Sequence, residues 1–145
     1  MSKEQARKLK LPARLSELEN LVDFVLAAAR REGLGEEETA AVHLAVDEAC
    51  TNIINYSYSA GETGTIEVEH SPDPGSFTVI IRDHGRPFDP TLSPAPGLEA
   101  DISRRPVGGL GIFLMKKSLD ELRYRRRGGR NELTLVKNLT GTKKQ

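Results

Sequence analysis

The spacing of apolar residues predicts a helix in the first quarter of the chain. Four of them recur at intervals of four, three and four residues, as on one face of a helix: Leu18, Val22, Val25 and Ala29. Ser16 and Glu19 have the spacing of a capping box, in which each side chain bonds a backbone amide of the first turn. Gly33 suits the left-handed residue that follows many helices. We therefore predict a helix from about Ser16 to Gly33.

A second predicted helix starts near Glu36 and carries two distinct faces. Its first residues are acidic, which suits the positive end of a helix dipole. The apolar face consists of Val42, Val46, Ala49 and Ile53. A polar set lies roughly a quarter to a third of a turn away around the helix: Glu48, Asn52 and Asn55. One face of this helix is therefore available to a core, and a separate face is polar.

Alternating and β-branched segments predict strands in the first few residues and in the rest of the chain. These strands span residues 5–11, 65–70, 76–83, 121–126 and 132–139. Pro12 is expected to end the first of them or to confine it to an edge of the sheet, because proline cannot donate a hydrogen bond to a neighbouring strand. Residues 71–75 (SPDPG) are predicted to form a hairpin turn, and Gly128 and Gly129 to join the last two strands.

The remaining segments complete the predicted architecture. Residues 84–107 contain five prolines and are predicted to form a long loop, and a third helix is predicted at 112–119. We expect 140–145 to be a flexible tail. The order of elements predicts a single α+β domain over residues 1–145, a two-layer sandwich whose helices pack on one face of a mostly antiparallel sheet.

Composition and charge narrow the class of protein. Hydrophobic residues make up 37% and charged residues 29% of the chain, as in soluble globular domains. Lys plus Arg and Asp plus Glu number 21 each, and this balance argues against a nucleic-acid-binding surface. The basic run at 123–130 (RYRRRGGR) is accordingly interpreted as solvated hairpin charge rather than an RNA-binding segment. The single cysteine, Cys50, and the lack of a leader-like or membrane-length apolar run predict a cytoplasmic protein without a membrane or nucleic-acid partner.

Asp83 is the first candidate functional residue. By period-two alternation it shares a strand face with Phe77, Val79 and Ile81, where a carboxylate is costly unless it is hydrogen-bonded. The exocyclic amino group of a purine is one suitable partner, and Gly85 would allow a flat ring to approach the backbone. The alternative is that Asp83 only caps the turn that follows its strand.

The glycine cluster at 108–111 (GGLG) is the second candidate. It opens a helix, and free amides at a helix N-terminus attract phosphate. The alternative is a flexible hinge between the long loop and the helix. Arg104 and Arg105 precede the cluster, and they either reach a terminal phosphate or remain solvated loop charges.

Glu48 and Asn52 form the third candidate, since residues four apart stack on one helical face. No Lys or Arg lies within a turn of Glu48 in the sequence. A glutamate can act as general base toward a hydroxyl, and an asparagine oxygen can bind Mg²⁺, the two functions that phosphoryl transfer requires. The alternative is a solvated helix face, and Asp47, about 100° away around the helix, is interpreted as surface charge.

Taken in order, these segments resemble the ATP-binding superfamily of gyrase, heat-shock chaperones, mismatch-repair proteins and sensor histidine kinases, known as GHKL. The matching motifs are EACTN at 48–52, DHGRPFDP at 83–90 and GGLG at 108–111. More narrowly, LAVDEACTNIINYSY, RDHGRPFDP and GGLGIFLMKKSLDELRYRRRGGRNELTLVKNL resemble the stand-alone anti-sigma-factor serine/threonine kinases. The resemblance covers residues 11–139 and implies a histidine-kinase-like ATPase fold.

The resemblance also implies a role for individual residues. Glu48 would be the catalytic residue, and Asn52 would hold Mg²⁺ bridged to the phosphates of ATP. The adenine amino group would bind Asp83, and residues 90–107 would form an ATP lid. The remaining implied cofactor-binding residues are Asn55, Gly85, Pro87, Phe88, Arg105, Gly108, Gly109, Leu110, Gly111 and Thr134.

Two departures from the family pattern bear on the implied function. A third glycine box, with Gly-Thr before the last strand, is replaced by GRNELTLV, in which Thr134 is the candidate for the missing hydroxyl. No helix pair with a phosphoacceptor histidine is present in this sequence, which argues against a complete sensor histidine kinase. The implied function is an ATP-dependent serine/threonine kinase and anti-sigma factor that phosphorylates an STAS-type antagonist, sequesters a sigma factor and forms a homodimer. The alternative is an ATP-binding switch module without phosphoryl transfer.

Overall fold

The protein is described by a computed structural model over residues 6–59, 61–92 and 109–139. Its elements are, in chain order, β1 (Arg7–Pro12), α1 (Leu18–Glu32), α2 (Glu36–Asn52), β2 (Thr65–Asp73), β3 (Ser76–Asp83), α3 (Gly109–Ser118), β4 (Glu121–Arg127) and β5 (Arg130–Asn138). The five strands form one sheet in the order β1-β2-β3-β5-β4, and every neighbouring pair is antiparallel.

The three helices pack on one face of this sheet, with α2 between α1 and α3. Apolar residues from both layers form one buried cluster, in which Leu21, Val46, Ile66, Ile81 and Ile112 are all less than 2% exposed. The predicted α+β sandwich, with helices on one face of an antiparallel sheet, is therefore confirmed. Within the described residues, no helix combines the length and the apolar character that a bilayer crossing requires.

The predicted capping box at Ser16 and Glu19 is wrong. Residues Leu15–Glu17 form a 3-10 turn that runs directly into α1, so Ser16 already has helical backbone rather than the extended conformation of a capping residue. The backbone amide of Gly35 instead donates a hydrogen bond to Oε1 of Glu38, at 2.9 Å, at the start of α2. The end of α1 was predicted correctly, since Gly33 has a φ of +77° there.

Several strand boundaries differ from the predicted ones by a few residues. β2 continues to Asp73, where Pro72 lies opposite Phe77, so the hairpin turn contains only residues 74 and 75. Pro12 is the last residue of β1, and β1 is an edge strand of the sheet, which agrees with the prediction that proline confines this strand to an edge. α3 begins at Gly109, inside the glycine cluster instead of after it.

The face of the sheet away from the helices carries a row of charges that crosses all five strands. Direct cross-strand neighbours in this row alternate in sign: Lys10, Glu67, Arg82, Glu132 and Arg125. Arg82 Nε lies 2.8 Å from Glu132 Oε2, and Arg125 Nε lies 2.6 Å from Glu132 Oε1. Burial alone would raise the pKa of Glu132, but hydrogen bonds and charges from these two arginines lower it to about 2.

The β4–β5 turn consists of Gly128 and Gly129, as predicted. Their φ values are +61° and +75°, the paired left-handed conformation that two-residue hairpins with the twist of the flanking strands require. Most of the arginines beside it lie on the outer face of the hairpin. Arg126 lies on the inner face, since it is the cross-strand neighbour of Asn131, and it contributes to the site below.

Candidate functional site

Glu48 and Asn52 form a hydrogen-bonded pair on α2. Nδ2 of Asn52 donates to Oε2 of Glu48 at 2.8 Å, and the Asn52 side chain is buried. Burial raises the pKa of the Glu48 carboxyl, the Asn52 hydrogen bond opposes this, and the charge of Asp47 raises the pKa further. No lysine or arginine among the described residues forms an ion pair with Glu48. A half-buried carboxylate with a raised pKa suits proton transfer.

Gly111 brings the first turn of α3 against Glu48. A Cβ added at residue 111 would lie 2.0 Å from Oε1 of Glu48, closer than any side chain allows. Glycine therefore permits the close approach of α3 to this carboxylate. Two motifs that are separate in the sequence, at 48–52 and at 108–111, thus meet at one place in the fold.

Asp83 ends β3 on the inner face of the sheet, as its alternation with Phe77 and Ile81 predicted. Its side chain is 3% exposed, and its Oδ1 accepts hydrogen bonds from the Gly85 amide at 2.8 Å and from Asn131 Nδ2 at 3.0 Å. Burial raises the pKa of Asp83, and these hydrogen bonds oppose the increase. Asp83 therefore does cap the following turn, yet it also lies in a cavity between α2 and the sheet.

Asn131 is the residue at this site that sequence reasoning missed. Besides Asp83, its Nδ2 donates to the carbonyl oxygen of Arg86 at 2.9 Å, and its Oδ1 accepts from the hydroxyl of Tyr124 and from Nη1 of Arg126 at 3.0 Å. Both hydrogens of the amide nitrogen and both lone pairs of the oxygen are thus used. A reversed amide would place its oxygen against Asp83 Oδ1 and the Arg86 oxygen and its nitrogen against Arg126 Nη1, so Nδ2 is held toward Asp83.

The predicted role of Thr134 is not supported by its position. Thr134 pairs with Ile80 and borders a groove on the outer face of the sheet, whereas Asp83 and Asn131 are cross-strand neighbours on the inner face. Residues of a strand alternate between faces, so Thr134 and Asn131 point to opposite sides. This alternation is the sequence signal that identifies Asn131, together with Leu133 and Leu135, as inward-facing.

The turn after β3 is tied to the end of α2. A π-helical turn at Ile53–Ser57 follows α2, and the carbonyl oxygen of Ser57 accepts a hydrogen bond from the Arg86 amide at 2.9 Å. The hydroxyl of Tyr58 accepts from the His84 amide at 2.8 Å. A Cβ at residue 85 would lie 2.2 Å from the Ser57 oxygen, so only glycine fits there. These contacts fix the position of Asp83 relative to Asn52.

The cavity beside Asp83 has a volume of about 20 Å³. Its walls come from α2, the π-helical turn, β3, β4, β5, α3 and the segment after β3: Ala49, Asn52, Ile53, Ser57, Ile81, Asp83, Phe88, Pro90, Met115, Tyr124, Asn131 and Leu133. Pockets for small organic ligands usually measure about 300–1,000 Å³. A flat ring therefore does not fit in the cavity as it stands, and Phe88 and Pro90 of the segment after β3 form one of its walls.

The other predicted site residues fall into three groups. Phe88 borders the cavity, the Gly85 amide donates to Asp83, and Gly109 and Gly111 lie in the first turn of α3. Asn55 and Pro87 are exposed and do not border the cavity, and Leu110 is 48% exposed on α3. Arg105, Gly108 and residues 93–107 of the predicted lid lie outside the described residues.

Asn52 provides an oxygen atom that could bind a Mg²⁺ ion. Its Nδ2 is committed to Glu48, which leaves Oδ1 as the atom that can ligate a metal. Mg²⁺ usually keeps several waters and binds through one or two protein oxygens together with substrate phosphates. Within the described part of the chain no group of three or more His, Cys, Asp or Glu side chains is arranged so that it could hold a metal ion. The residues present therefore fit a metal held jointly with a phosphate ligand.

Comparison with known proteins gives one family match. Residues 11–137 match the family model described as the histidine kinase-like ATPase domain. The chain is also 32% identical, over 93 residues, to the serine/threonine-protein kinase BtrW of Bordetella bronchiseptica, covering 64% of this chain and 66% of that protein. It is 29% identical, over 127 residues, to the serine-protein kinase RsbW of Bacillus subtilis, covering 83% and 78% respectively.

A solved structure shares the fold. The crystal structure of the RsbU and RsbW domains of a Mycobacterium tuberculosis protein superposes with a TM-score of 0.67 at 15% identity, over 94% of this chain and 33% of that one. At this identity the match shows a common fold alone. The aligned region spans only about two thirds of the first kinase relatives, 66% of BtrW and 62% of RsbW from Bacillus licheniformis.

Proposed function

The chain belongs to the histidine kinase-like ATPase domain family, and on that premise we propose that it is an ATP-dependent serine/threonine protein kinase. The observation that carries the proposal is the arrangement on α2. Asn52 borders the cavity that contains Asp83, and Glu48, one turn earlier, holds its carboxylate beside the first turn of α3. A possible adenine site at Asp83, a possible metal ligand at Asn52 and a possible proton acceptor at Glu48 thus follow one another.

In this proposal the adenine ring of ATP occupies the cavity beside Asp83. Oδ1 of Asp83 is already bonded to Gly85 and Asn131, and the carboxylate also accepts a hydrogen bond from the Ser57 side chain. Since a carboxylate has about four acceptor sites, the exocyclic amino group would donate to the remaining site on Oδ2. The apolar side chains of Ile53, Phe88 and Leu133 would contact the faces of the ring. Phe88 would have to move for the ring to enter, because the cavity of about 20 Å³ holds no more than a water molecule.

The phosphates would extend from this cavity toward α3. Oδ1 of Asn52 would hold Mg²⁺, which neutralises phosphate charge when it is bound. The backbone amides at the start of α3, from Gly109 to Gly111, lie at the positive end of a helix dipole and suit phosphate oxygens. Arg105 and Gly108 are proposed to complete the phosphate contacts.

Glu48 would act as the general base. Its Oε2 accepts the Asn52 hydrogen bond, so Oε1 is available to take the proton of the attacking hydroxyl. The serine oxygen forms the new bond to the γ-phosphorus, the bond from that phosphorus to the bridging oxygen breaks, and ADP leaves. The raised pKa of Glu48 brings its basicity closer to that required near neutral pH.

The partners proposed for this kinase follow from its resemblance to the anti-sigma-factor kinases. They are an STAS-type antagonist that supplies the acceptor serine and a sigma factor that the kinase sequesters. Homodimerisation through the edge strand β1 belongs to the same proposal. The names of the kinase relatives support the transfer of phosphate to a protein serine.

The decisive experiment combines the protein with Mg²⁺, γ-labelled ATP and STAS-domain proteins from the same genome. Label on a serine of one of them, lost in Glu48→Ala and retained in Glu121→Ala, supports the kinase. Glu121 is the matched control because it is an exposed glutamate on β4, away from Glu48 and from the cavity beside Asp83. ATP binding without any labelled partner would instead favour an ATP-dependent switch that binds its partner without phosphoryl transfer.

The adenine site has its own test. Asp83→Asn keeps the shape of the side chain but adds a donor where the amino group would bind. We expect the Kd for ATP to rise at least tenfold, measured by calorimetry, while the melting temperature changes much less. A loss of stability that accounts for the whole loss of binding would show that Asp83 is only structural.

A further inference from the structure

An open groove lies between α2 and α3 on the side of Glu48 away from Asp83. It has a volume of about 420 Å³ and is lined by Ala40, His43, Leu44, Asp47, Glu48, Gly111 and Leu114. The cavity beside Asp83 touches α2 at Ala49, Asn52 and Ile53. The two spaces therefore occupy successive lengths of α2, and the Glu48–Asn52 hydrogen bond lies at their boundary.

The groove has leucines on both walls. Leu44 lies one turn before Glu48 on α2 and is 39% exposed, and Leu114 lies one turn after Gly111 on α3 and is 43% exposed. Six large hydrophobic residues are exposed in the described part of the chain, and three of them, with Leu110, are on these two helices. Apolar side chains that gather beside a polar site are typical of a surface that another protein covers.

The direction of phosphoryl transfer connects this groove to the reaction. The attacking oxygen and the leaving oxygen lie roughly in line on opposite sides of the phosphoryl group. If the adenine of ATP binds at Asp83 and the phosphates lie near Asn52, the leaving oxygen of the γ-phosphate lies on the Asn52 side of Glu48. The acceptor hydroxyl must then come from the opposite side, which is the groove.

We propose that the α2–α3 groove binds the acceptor segment of the substrate protein, with its serine at Glu48 and an apolar neighbour between Leu44 and Leu114. This inference rests on the proposed kinase function and adds where the acceptor binds and what its sequence must contain. The exposed Glu36 and Glu37 lie one turn before Ala40 and continue the same face of α2.

Charge complementarity fixes the remaining chemistry of the acceptor. Asp47 and Glu48 lie at the inner end of the groove, and the two glutamates lie at its outer end. Acidic residues beside the serine are therefore excluded by repulsion, and a basic residue further along the segment is favoured. The occupant is thus a loop with an apolar residue next to the serine and a Lys or Arg beyond it.

The test uses the STAS-domain protein that the wild-type chain labels and measures KM for that protein. Leu44→Asp and Leu114→Asp are each expected to raise KM at least tenfold, because each loses an apolar contact and adds a charge. The Kd for ATP should stay within twofold. Leu15→Asp is the matched control, since Leu15 is 61% exposed and lies outside this groove.

A second pair of variants tests the charge requirement. Glu37→Lys should raise KM for the acceptor, whereas Glu19→Lys, an exposed position on α1, should not. The melting temperature of each variant shows whether it folds. If Leu44→Asp does not fold, Leu44→Gln replaces it.

The outcomes separate this inference from the proposed function. Normal labelling with wild-type KM in both leucine variants would overturn the groove assignment and leave the kinase intact. An equal rise of KM in Leu15→Asp would also overturn it, because the acceptor surface would then include α1. If ATP binds but no STAS-domain protein is labelled even by the wild type, the kinase function and the groove assignment are both overturned.

Discussion

Replacement of Asn131 tests the hydrogen-bond network that orients Asp83. Asn131→Ala removes the hydrogen bond to the Asp83 carboxylate, at 3.0 Å, and the one to the Arg86 carbonyl, at 2.9 Å. The two bonds that Oδ1 accepts are lost as well, but their donors, on the partly exposed Tyr124 and the exposed Arg126, can bond water instead and are left out of the sum. A bond to a charged group contributes about 1.5–3 kcal/mol and a neutral one about 0.5–1.5 kcal/mol. We therefore expect the free energy of unfolding to fall by about 2–4 kcal/mol, which typical domain stabilities of about 5–15 kcal/mol tolerate.

The same change should weaken ATP binding through Asp83. Without Asn131 the carboxylate can rotate, and we expect the Kd for Mg-ATP to rise about tenfold, equivalent to about 1.4 kcal/mol. Urea denaturation measures the stability and calorimetry measures the binding. Asn138→Ala is the control, because Asn138 lies on the same strand but is exposed. If Asn131→Ala behaves like this control in both assays, Asn131 does not position Asp83.

In Asn131→Asp the loss of stability should depend on pH. It places a second carboxylate beside Asp83, whose pKa is already raised by burial, so the pKa of the pair rises further. The folded state then retains a proton that the unfolded state releases. The stability deficit of the variant is therefore largest near neutral pH and shrinks as the pH falls toward about 4. A deficit that is constant with pH, by urea denaturation at stepped pH values, would contradict this.

Three further variants test other parts of the structure. The pKa of Glu132 is lowered to about 2 from an ordinary 4.5. The ionised side chain therefore stabilises the fold above about pH 4.5, and this contribution is lost as the pH falls toward 2. In Glu132→Gln the free energy of unfolding should no longer show this decrease between about pH 4.5 and 2. Gly85→Ala should lower the free energy of unfolding by about 1–3 kcal/mol, measured with urea, because its Cβ would meet the Ser57 carbonyl oxygen. Gly111→Ala should lower the labelling rate at least tenfold with little change in melting temperature, since the Glu48 carboxylate it displaces ends a flexible side chain. Equal losses of rate and stability in Gly111→Ala would assign that glycine a structural role.

The sequence predicted the elements of the fold and the face on which Asp83 lies. Period-two alternation in residues 76–83 needs no tertiary information, because successive side chains of a strand always point to opposite faces. The capping prediction at Ser16 failed for the opposite reason. Whether a serine caps a helix depends on the backbone conformation before it, and here the chain turns into a 3-10 helix one residue earlier.

The site was only partly predictable, because its parts meet through long-range pairing. Asn131 and Asp83 are 48 residues apart, and only the register of β3 with β5 places them opposite each other. Thr134 is the sequence candidate for the missing hydroxyl, although alternation with Leu133 already assigns it to the other face. Asp47, interpreted as surface charge, borders the groove beside Glu48 and raises the pKa of that residue.

The charge row on the outer face of the sheet favours one register between neighbouring strands. If β5 slid by two residues along β3, Leu133 and Leu135 would still point inward, so the apolar core alone discriminates weakly between the two registers. The outer face would change completely, because Arg82 would then lie opposite Arg130 or Thr134 instead of Glu132. The same slip would separate Asp83 from Asn131. Ion pairs that lie on the opposite side of the sheet, and never touch the candidate nucleotide site, therefore contribute to its correct assembly.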